Sequence, residues 1–172
     1  MHYAIVYFAT GRSSIPRWKY RQVSRLIRVM TVSPICHCMI GFEGAVLDPS
    51  LGGIRYWPSR LVAARYPTLH SVFRVPFRYR IDLDFFNELV GQPQPILPSL
   101  ARWLKLGHGP WVYDCLCVSL ACLRAGGVDV NPHIATPAGL YRWLKKKGFA
   151  YDVRNGQAES DFRVAVRRLC IG

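Results

Sequence analysis

Acid is scarce in this chain. Ten Asp and Glu stand against 23 Lys and Arg in 172 residues, a formal charge of +13. Residues 1–42 carry Arg12, Arg17, Lys19, Arg21, Arg25 and Arg28 and no acid; residues 49–81 carry Arg55, Arg60, Arg65, Arg74, Arg78 and Arg80, again with none. Long apolar runs are missing too. No stretch reaches the roughly 18 uncharged apolar residues that a spanning helix needs, so a transmembrane segment is not expected. The opening Met1–Phe8 has no basic n-region and no small-residue cleavage site after an apolar stretch, so it does not read as a secretion signal. The expected location is cytoplasmic or virion-associated. No internal repeat and no low-complexity tract occurs. No CxxC spacing occurs either, so neither a structural metal nor a cofactor is expected.

What is present supports a packed core: 51% of the residues are hydrophobic and 13% aromatic. That composition excludes disorder as the main state, and the length fits one domain over residues 1–172. The uneven positive charge should attract polyanions such as nucleic acid, anionic lipid or an acidic wall polymer, or else an acidic protein surface such as that of virion proteins. Of the six cysteines, Cys36/Cys38 and Cys115/Cys117 form two closely spaced pairs. A core of this size needs no staples, so free thiols are expected rather than a disulfide framework.

The elements suggest an α+β fold, an antiparallel sheet packed against helices, because strands surround helices without a βαβ rhythm. A strand is predicted over Tyr3–Phe8. A helix opens near Ser14-Ile15-Pro16, with Val23, Leu26, Ile27 and Met30 on one face, and ends before Pro34. Ile35–Phe42 and Ala45–Asp48 form a hairpin turned at Glu43-Gly44, and Pro49–Gly53 is read as loop. Phe73, Val75, Phe77 and Tyr79 alternate with Arg74, Pro76, Arg78 and Arg80, a strand that Pro76 pushes toward an edge or a bulge. Short helices follow from Asp82 and from Ser99. Cys115–Ala125 is apolar almost all round, hence a buried helix, capped by Asp114 and ended by Gly126-Gly127. Thr136-Pro137 starts another helix, closed by Lys145–Lys147 and Gly148. A strand is expected near Phe149–Val153.

Three residues could carry chemistry. Cys115 heads the buried helix, where unpaired N–H groups and the positive end of the dipole favour a thiolate and can receive an oxyanion. Asp114 beside it opposes the thiolate unless it is occupied as a cap. His37 is presented from a strand, on the face opposite Cys36 and Cys38, and can serve as base to a thiol. Adjacent strand residues cannot all converge on one ion, which argues against a metal at Cys36-His37-Cys38. Asp48, on the returning hairpin strand, can orient the imidazole; Glu43 is nearer in sequence but sits in the turn. Each has a plainer reading: a small buried hydrophobe for Cys115, a satisfied core histidine for His37. His108, His133 and His70 are weaker candidates, and Trp57, Trp103 and Trp111 could line a groove or fill the core.

The order of strand, basic helix, His-bearing hairpin, long insertion and Cys-led apolar helix resembles the circularly permuted NlpC/P60-type, papain-like cysteine enzymes, in which His precedes Cys. Tyr113-Asp114-Cys115-Leu116-Cys117-Val118, Leu123-Arg124-Ala125-Gly126-Gly127 and Thr136-Pro137-Ala138-Gly139-Leu140-Tyr141 carry the likeness. Cys117 departs from the commoner hydroxyl or apolar residue there and should face away from Cys115. The resemblance spans about residues 3–148, leaving 149–172 as a basic C-terminal extension. It implies a permuted papain-like domain with Cys115 as nucleophile, His37 as base and Asp48 as third group, and Tyr113, His108 and Trp111 near the substrate. The implied activity is thiol hydrolysis of a peptide or isopeptide amide, with a phage-encoded or virion-associated peptidoglycan hydrolase as one form. A thiol acyltransferase acting on lipid is a second reading. A non-enzymatic basic module of virion or nucleic acid is a third.

Overall fold

The computed structural model describes residues 2–10, 18–42, 44–50, 53–66, 69–81, 84, 87, 90, 91 and 114–151. His108, Trp111, Tyr113, Trp103, Glu43, the helix expected from Ser99 and residues 152–172 lie outside them, as do most of the helix expected from Asp82 and the helix start at Ser14–Pro16. The architecture is α+β. Six strands, β1 (His2–Ala9), β2 (His37–Phe42), β3 (Ala45–Ser50), β4 (Gly53–Pro58), β5 (Leu69–Phe77) and β6 (Ala150–Tyr151), form one sheet in the order β4-β3-β2-β1-β5-β6. Every pairing is antiparallel. The helices are α1 (Trp18–Thr31), α2 (Val62–Arg65), α3 (Cys115–Ala125) and α4 (Pro137–Lys146). Among the described residues no helix is long and apolar enough to cross a membrane.

Strand β1 is apolar without alternation because it is covered on both faces; Ala4 to Ala9 are all buried. Its residues divide between two cores. Ala4, Val6 and Phe8 join Cys38, Ile40, Phe73 and Val75 beneath α3 and α4. Ile5, Tyr7 and Ala9 join Met39, Val46, Val72, Val62 and Tyr66 on the other face. Helix α3 contributes Leu116, Val118, Leu120 and Leu123 to the first core, each worth about 1.5–3 kcal/mol of burial.

The caps follow the sequence. The Asp114 carboxylate accepts the Cys117 N–H at 2.7 Å, and Thr136 Oγ1 accepts the Gly139 N–H at 3.0 Å. At the far end of α3, Gly126 packs so closely on the Phe77 ring that a Cβ would lie 2.5 Å from it, while Gly127 turns at a φ of +78° that favours glycine. The Gly126 carbonyl accepts the Arg78 N–H at 2.8 Å, tying the end of β5 to the end of α3.

Several expectations need correction. Pro49–Gly53 is not wholly loop: β3 runs through Pro49 to Ser50, and β4 follows from Gly53 as a further strand. Alternation failed to mark β4 because Gly53 and Ile54 are both buried and Arg55 and Tyr56 both exposed, at an outer position in the sheet. Strand β5 begins at Leu69, earlier than the alternating stretch from Phe73. Pro76 faces Tyr3 of β1, while among the described residues β6 reaches β5 at Val72 and Phe73 only, so there the missing N–H falls where the ladder has one side. Leu26 is exposed although its neighbour Ile27 is buried, so the inner face of α1 is narrower than its sequence spacing suggests.

Candidate active site

Cys115 is the first residue of α3 and His37 the first of β2. The helix start lies against the strand start, with Cys38 Sγ 3.3 Å from the Cys115 carbonyl oxygen, and the Cys115 thiol and the His37 ring are near enough to act on each other's proton and charge. His37 Nε2 donates to Asp48 Oδ1 at 2.9 Å. That bond leaves Nδ1 as the ring nitrogen with a lone pair for the thiol proton. Asp48 reaches the ring through the hairpin. The pairing Ile40↔Leu47 and Gly41↔Val46, continued along the strands, sets Asp48 on the same face as His37 and diagonal to it. The three residues singled out from the sequence therefore stand at one place, whereas Tyr113, His108 and Trp111 lie outside the described residues.

Two further residues complete the polar side. Tyr66 Oη donates to both Asp48 oxygens, at 2.7 and 2.9 Å, and its ring stacks on His37 with centroids 5.5 Å apart and 25° between planes. Arg65 Nε lies 3.7 Å from Asp48 Oδ2, and its guanidinium sits 3.7 Å over the Trp57 ring. Trp57 is thus a platform for Arg65. Neither Tyr66 nor Arg65 was picked out from the sequence. They end a short helix with no periodicity. The one signal was that Asp48 is the last acid before the acid-free stretch 49–81, so a nearby arginine has no competing carboxylate.

On the other side of the helix start stand Cys38 and Ser119. Cys38 Sγ lies 3.3 Å from the Cys115 carbonyl oxygen, to which its thiol donates. Ser119 Oγ lies 2.8 Å from the same carbonyl and 3.6 Å from Cys38 Sγ. Cys38 and Ser119 are fully buried. Cys36 lies apart, with Sγ 3.8 Å from the Ala9 carbonyl. The five described cysteines are free thiols, and Cys117 is half-buried.

These contacts set the protonation states. Burial disfavours the His37 cation, but the bond to Asp48 and then the Cys115 sulfur outweigh it and raise its pKa to about 10. Burial raises the Asp48 carboxyl, yet the His37 bond and charge, Tyr66 and Arg65 bring it below its ordinary value. The Cys115 thiol is lowered first by the hydrogen bond from Cys38, against burial, and then by the bond and charge of His37; Asp114 works weakly the other way. Asp114 thus opposes the thiolate while it serves as the cap of α3. Burial pushes Cys38 well up, and the adjacent Cys115 sulfur pushes it further. Cys36 is raised to about 11 and Cys122 is raised too, both by burial. Burial, followed by the Asp48 charge, raises Tyr66 and keeps it a donor.

Cys115 is 2% exposed and the His37 side chain 15%, so approach to the pair is from the histidine side. The arrangement can hold a thiolate–imidazolium pair at neutral pH, with the cation braced by a buried carboxylate. Among the described residues no three His, Cys, Asp or Glu are grouped to hold a metal ion. His70 packs edge-on to Tyr141 and bonds Ser71 at 2.9 Å, and His133 is exposed on its loop. No protein-family model matches the chain, and no curated protein matches it.

Proposed function

We propose that this chain is a thiol hydrolase of permuted papain-like, NlpC/P60-type fold that cleaves an amide bond through Cys115, His37 and Asp48. The observation that supports it most is the His37–Asp48 hydrogen bond of 2.9 Å on a ring that acts on the Cys115 thiol, with that cysteine at a helix N-terminus. His37 takes the thiol proton and the Cys115 sulfur bonds to the carbonyl carbon. The carbonyl electron pair moves to oxygen, which is received at the head of α3. There the Cys117 and Val118 N–H groups are already taken by Asp114, and those of Cys115 and Leu116 stand ahead of them. His37 then gives its proton to the leaving nitrogen as the C–N bond breaks. A water deprotonated by His37 hydrolyses the thioester, releasing the acid and restoring the thiol. Asp48 holds the ring through Nε2 and stabilises the cation that forms twice in the cycle.

The substrate in this reading is a peptide or peptidoglycan-like amide. Exposed Arg55, Arg60, Arg74, Arg78 and Arg80 give the described surface a cationic character suited to an anionic wall polymer. The same arginines favour a second reading, a basic virion or nucleic-acid module in which the Cys–His pair is idle. Incubation with peptidoglycan fragments, peptide esters and acyl-lipid donors, read by mass spectrometry of the Cys115 peptide, separates the readings. Acylation from peptide donors is expected, with loss in Cys115→Ala. Acylation from lipid donors alone would make the chain an acyltransferase, and none from any donor would leave the basic-module reading.

A further inference from the structure

Tyr66 touches both members of the His37–Asp48 pair, each with a different part of its side chain. Its hydroxyl lies 2.7 Å from Asp48 Oδ2 and 2.9 Å from Oδ1, and Oδ1 also takes His37 Nε2 at 2.9 Å. With a contact to each oxygen, the carboxylate can turn about its Cβ–Cγ bond only by breaking both. The Tyr66 ring packs nearly parallel on the imidazole, with centroids 5.5 Å apart and 25° between planes. A flat ring sweeps a circle as it turns over, so the imidazole can turn only by pushing the tyrosine aside. Tyr66 is itself held in place. Its N–H donates to the Val62 carbonyl at 2.8 Å, and its carbonyl accepts the Leu69 N–H at 3.0 Å. Its side chain is buried in the same cluster as Val62 and Leu69. The backbone of Tyr66 thus joins the end of α2 to the start of β5, and its place does not depend on His37.

We propose that Tyr66 is a positioning residue whose hydroxyl pins the plane of the Asp48 carboxylate and whose ring pins the imidazole, so that Nε2 stays on Asp48 and Nδ1 stays free for the thiol proton. This rests on the reading of His37 as the base to Cys115. An imidazole turned over about its Cβ–Cγ bond would put carbon where each partner needs nitrogen. One side chain therefore guards against two errors, a rotated acceptor and a rotated base.

The test uses the full chain as wild type, Y66F, Y66L, L123A and H37A, with two readouts. One is the exchange rate of the His37 Nε2 proton with water, by NMR on isotope-labelled protein. The other is the rate of iodoacetamide alkylation at Cys115 against pH, by mass spectrometry. Leu123 lies in the core on the other face of the sheet, so L123A controls for lost stability alone. Y66F keeps the ring and loses the hydroxyl. Its Nε2 proton is expected to exchange about tenfold faster than in wild type, the worth of a hydrogen bond to a charged group, and Cys115 to alkylate about threefold more slowly. Y66L loses both contacts, and its alkylation is expected to be about tenfold slower or more. L123A is expected to keep the wild-type exchange rate, and a merely structural Tyr66 would behave as L123A does. A Y66F exchange rate no faster than that of L123A, or Y66L alkylation no slower than that of Y66F, overturns the proposal. If Y66L fails to fold, as judged by its melting transition, the Y66F exchange rate against that of L123A decides alone. Neither readout needs a substrate. Fast exchange in Y66F with H37A alkylation unchanged from wild type would remove the hydrolase reading and leave Tyr66 as the clamp of the pair. Slowed H37A alkylation with undisplaced Y66F exchange would remove only the clamp.

Discussion

The two faces of the sheet are built from neighbouring residues of the same strands and behave as opposites. Beneath α3 and α4 the face is aliphatic and aromatic, and the buried polar groups at the helix start are Cys38, Ser119 and the capping carboxylate of Asp114. On the other face the apolar cluster around Tyr7, Met39 and Val62 borders a charged set, His37, Asp48, Tyr66 and Arg65. The first face supplies the area that stabilises the fold. The second holds ionised groups whose pKa values depend on one another. The sulfur at the start of α3 touches both, so one atom takes its position from the apolar side and its charge from both sides.

Breaking the polar side should do most to chemistry. His37→Ala is expected to lower the acylation rate of Cys115 by about 10²–10⁴-fold, the range for loss of a general base, while the melting transition shows a folded protein. Stopped-flow acylation with a peptide ester checks it. Asp48→Ala leaves the His37 cation and the Tyr66 hydroxyl without their buried partner, and about 3–5 kcal/mol of stability is expected to be lost in urea denaturation at pH 7. The apolar side should answer differently. Leu123→Ala is expected to cost about 2–5 kcal/mol and to leave the midpoint of the Cys115 alkylation profile where it was. A shifted midpoint would mean that the two faces are not separable. Tyr66→Phe sharpens the division at the smallest scale. It removes one donor from Asp48, with a loss of about 1–3 kcal/mol and a small upward drift of the Asp48 titration.

Acidity provides a further check on the polar side. Asp48 is lowered on folding, so its contribution is present above the ordinary carboxylate range and is lost as pH falls through its folded value. His37 is raised to about 10, so its contribution is complete below the ordinary imidazole value and is lost as pH rises through about 10. Wild type should therefore lose stability at both extremes. Asp48→Asn should flatten both limbs, measured as urea midpoints across pH.

Much of this was legible in the residues because its signals are local. Asp114 before an apolar run, Thr136-Pro137 and the Gly126-Gly127 stop each satisfy or end a helix by themselves, and the hairpin turn fixes which face Asp48 shares with His37. What escaped depends on neighbours distant in sequence. Strand β4 carries exposed Arg55 and Tyr56 side by side, so no period marked it. Arg65 and Tyr66 gain meaning only when β3 and β4 bring Asp48 and Trp57 beneath them. The pair Cys36/Cys38 was weighed for metal, and its opposition to His37 counted against that. The same opposition puts Cys38 on the Cys115 carbonyl and His37 on Asp48, one on each face.

The strand order β4-β3-β2-β1-β5-β6 also dictates when reactivity can arise in the life of the chain. Strands β1 to β4 pair with one another over the first 58 residues and can do so as they leave the ribosome; β5 then adds to the free edge of β1, and Cys115 arrives later still. A nascent chain thus acquires its acid–base apparatus before its sulfur, and the anion forms only once the walls that enclose it are standing.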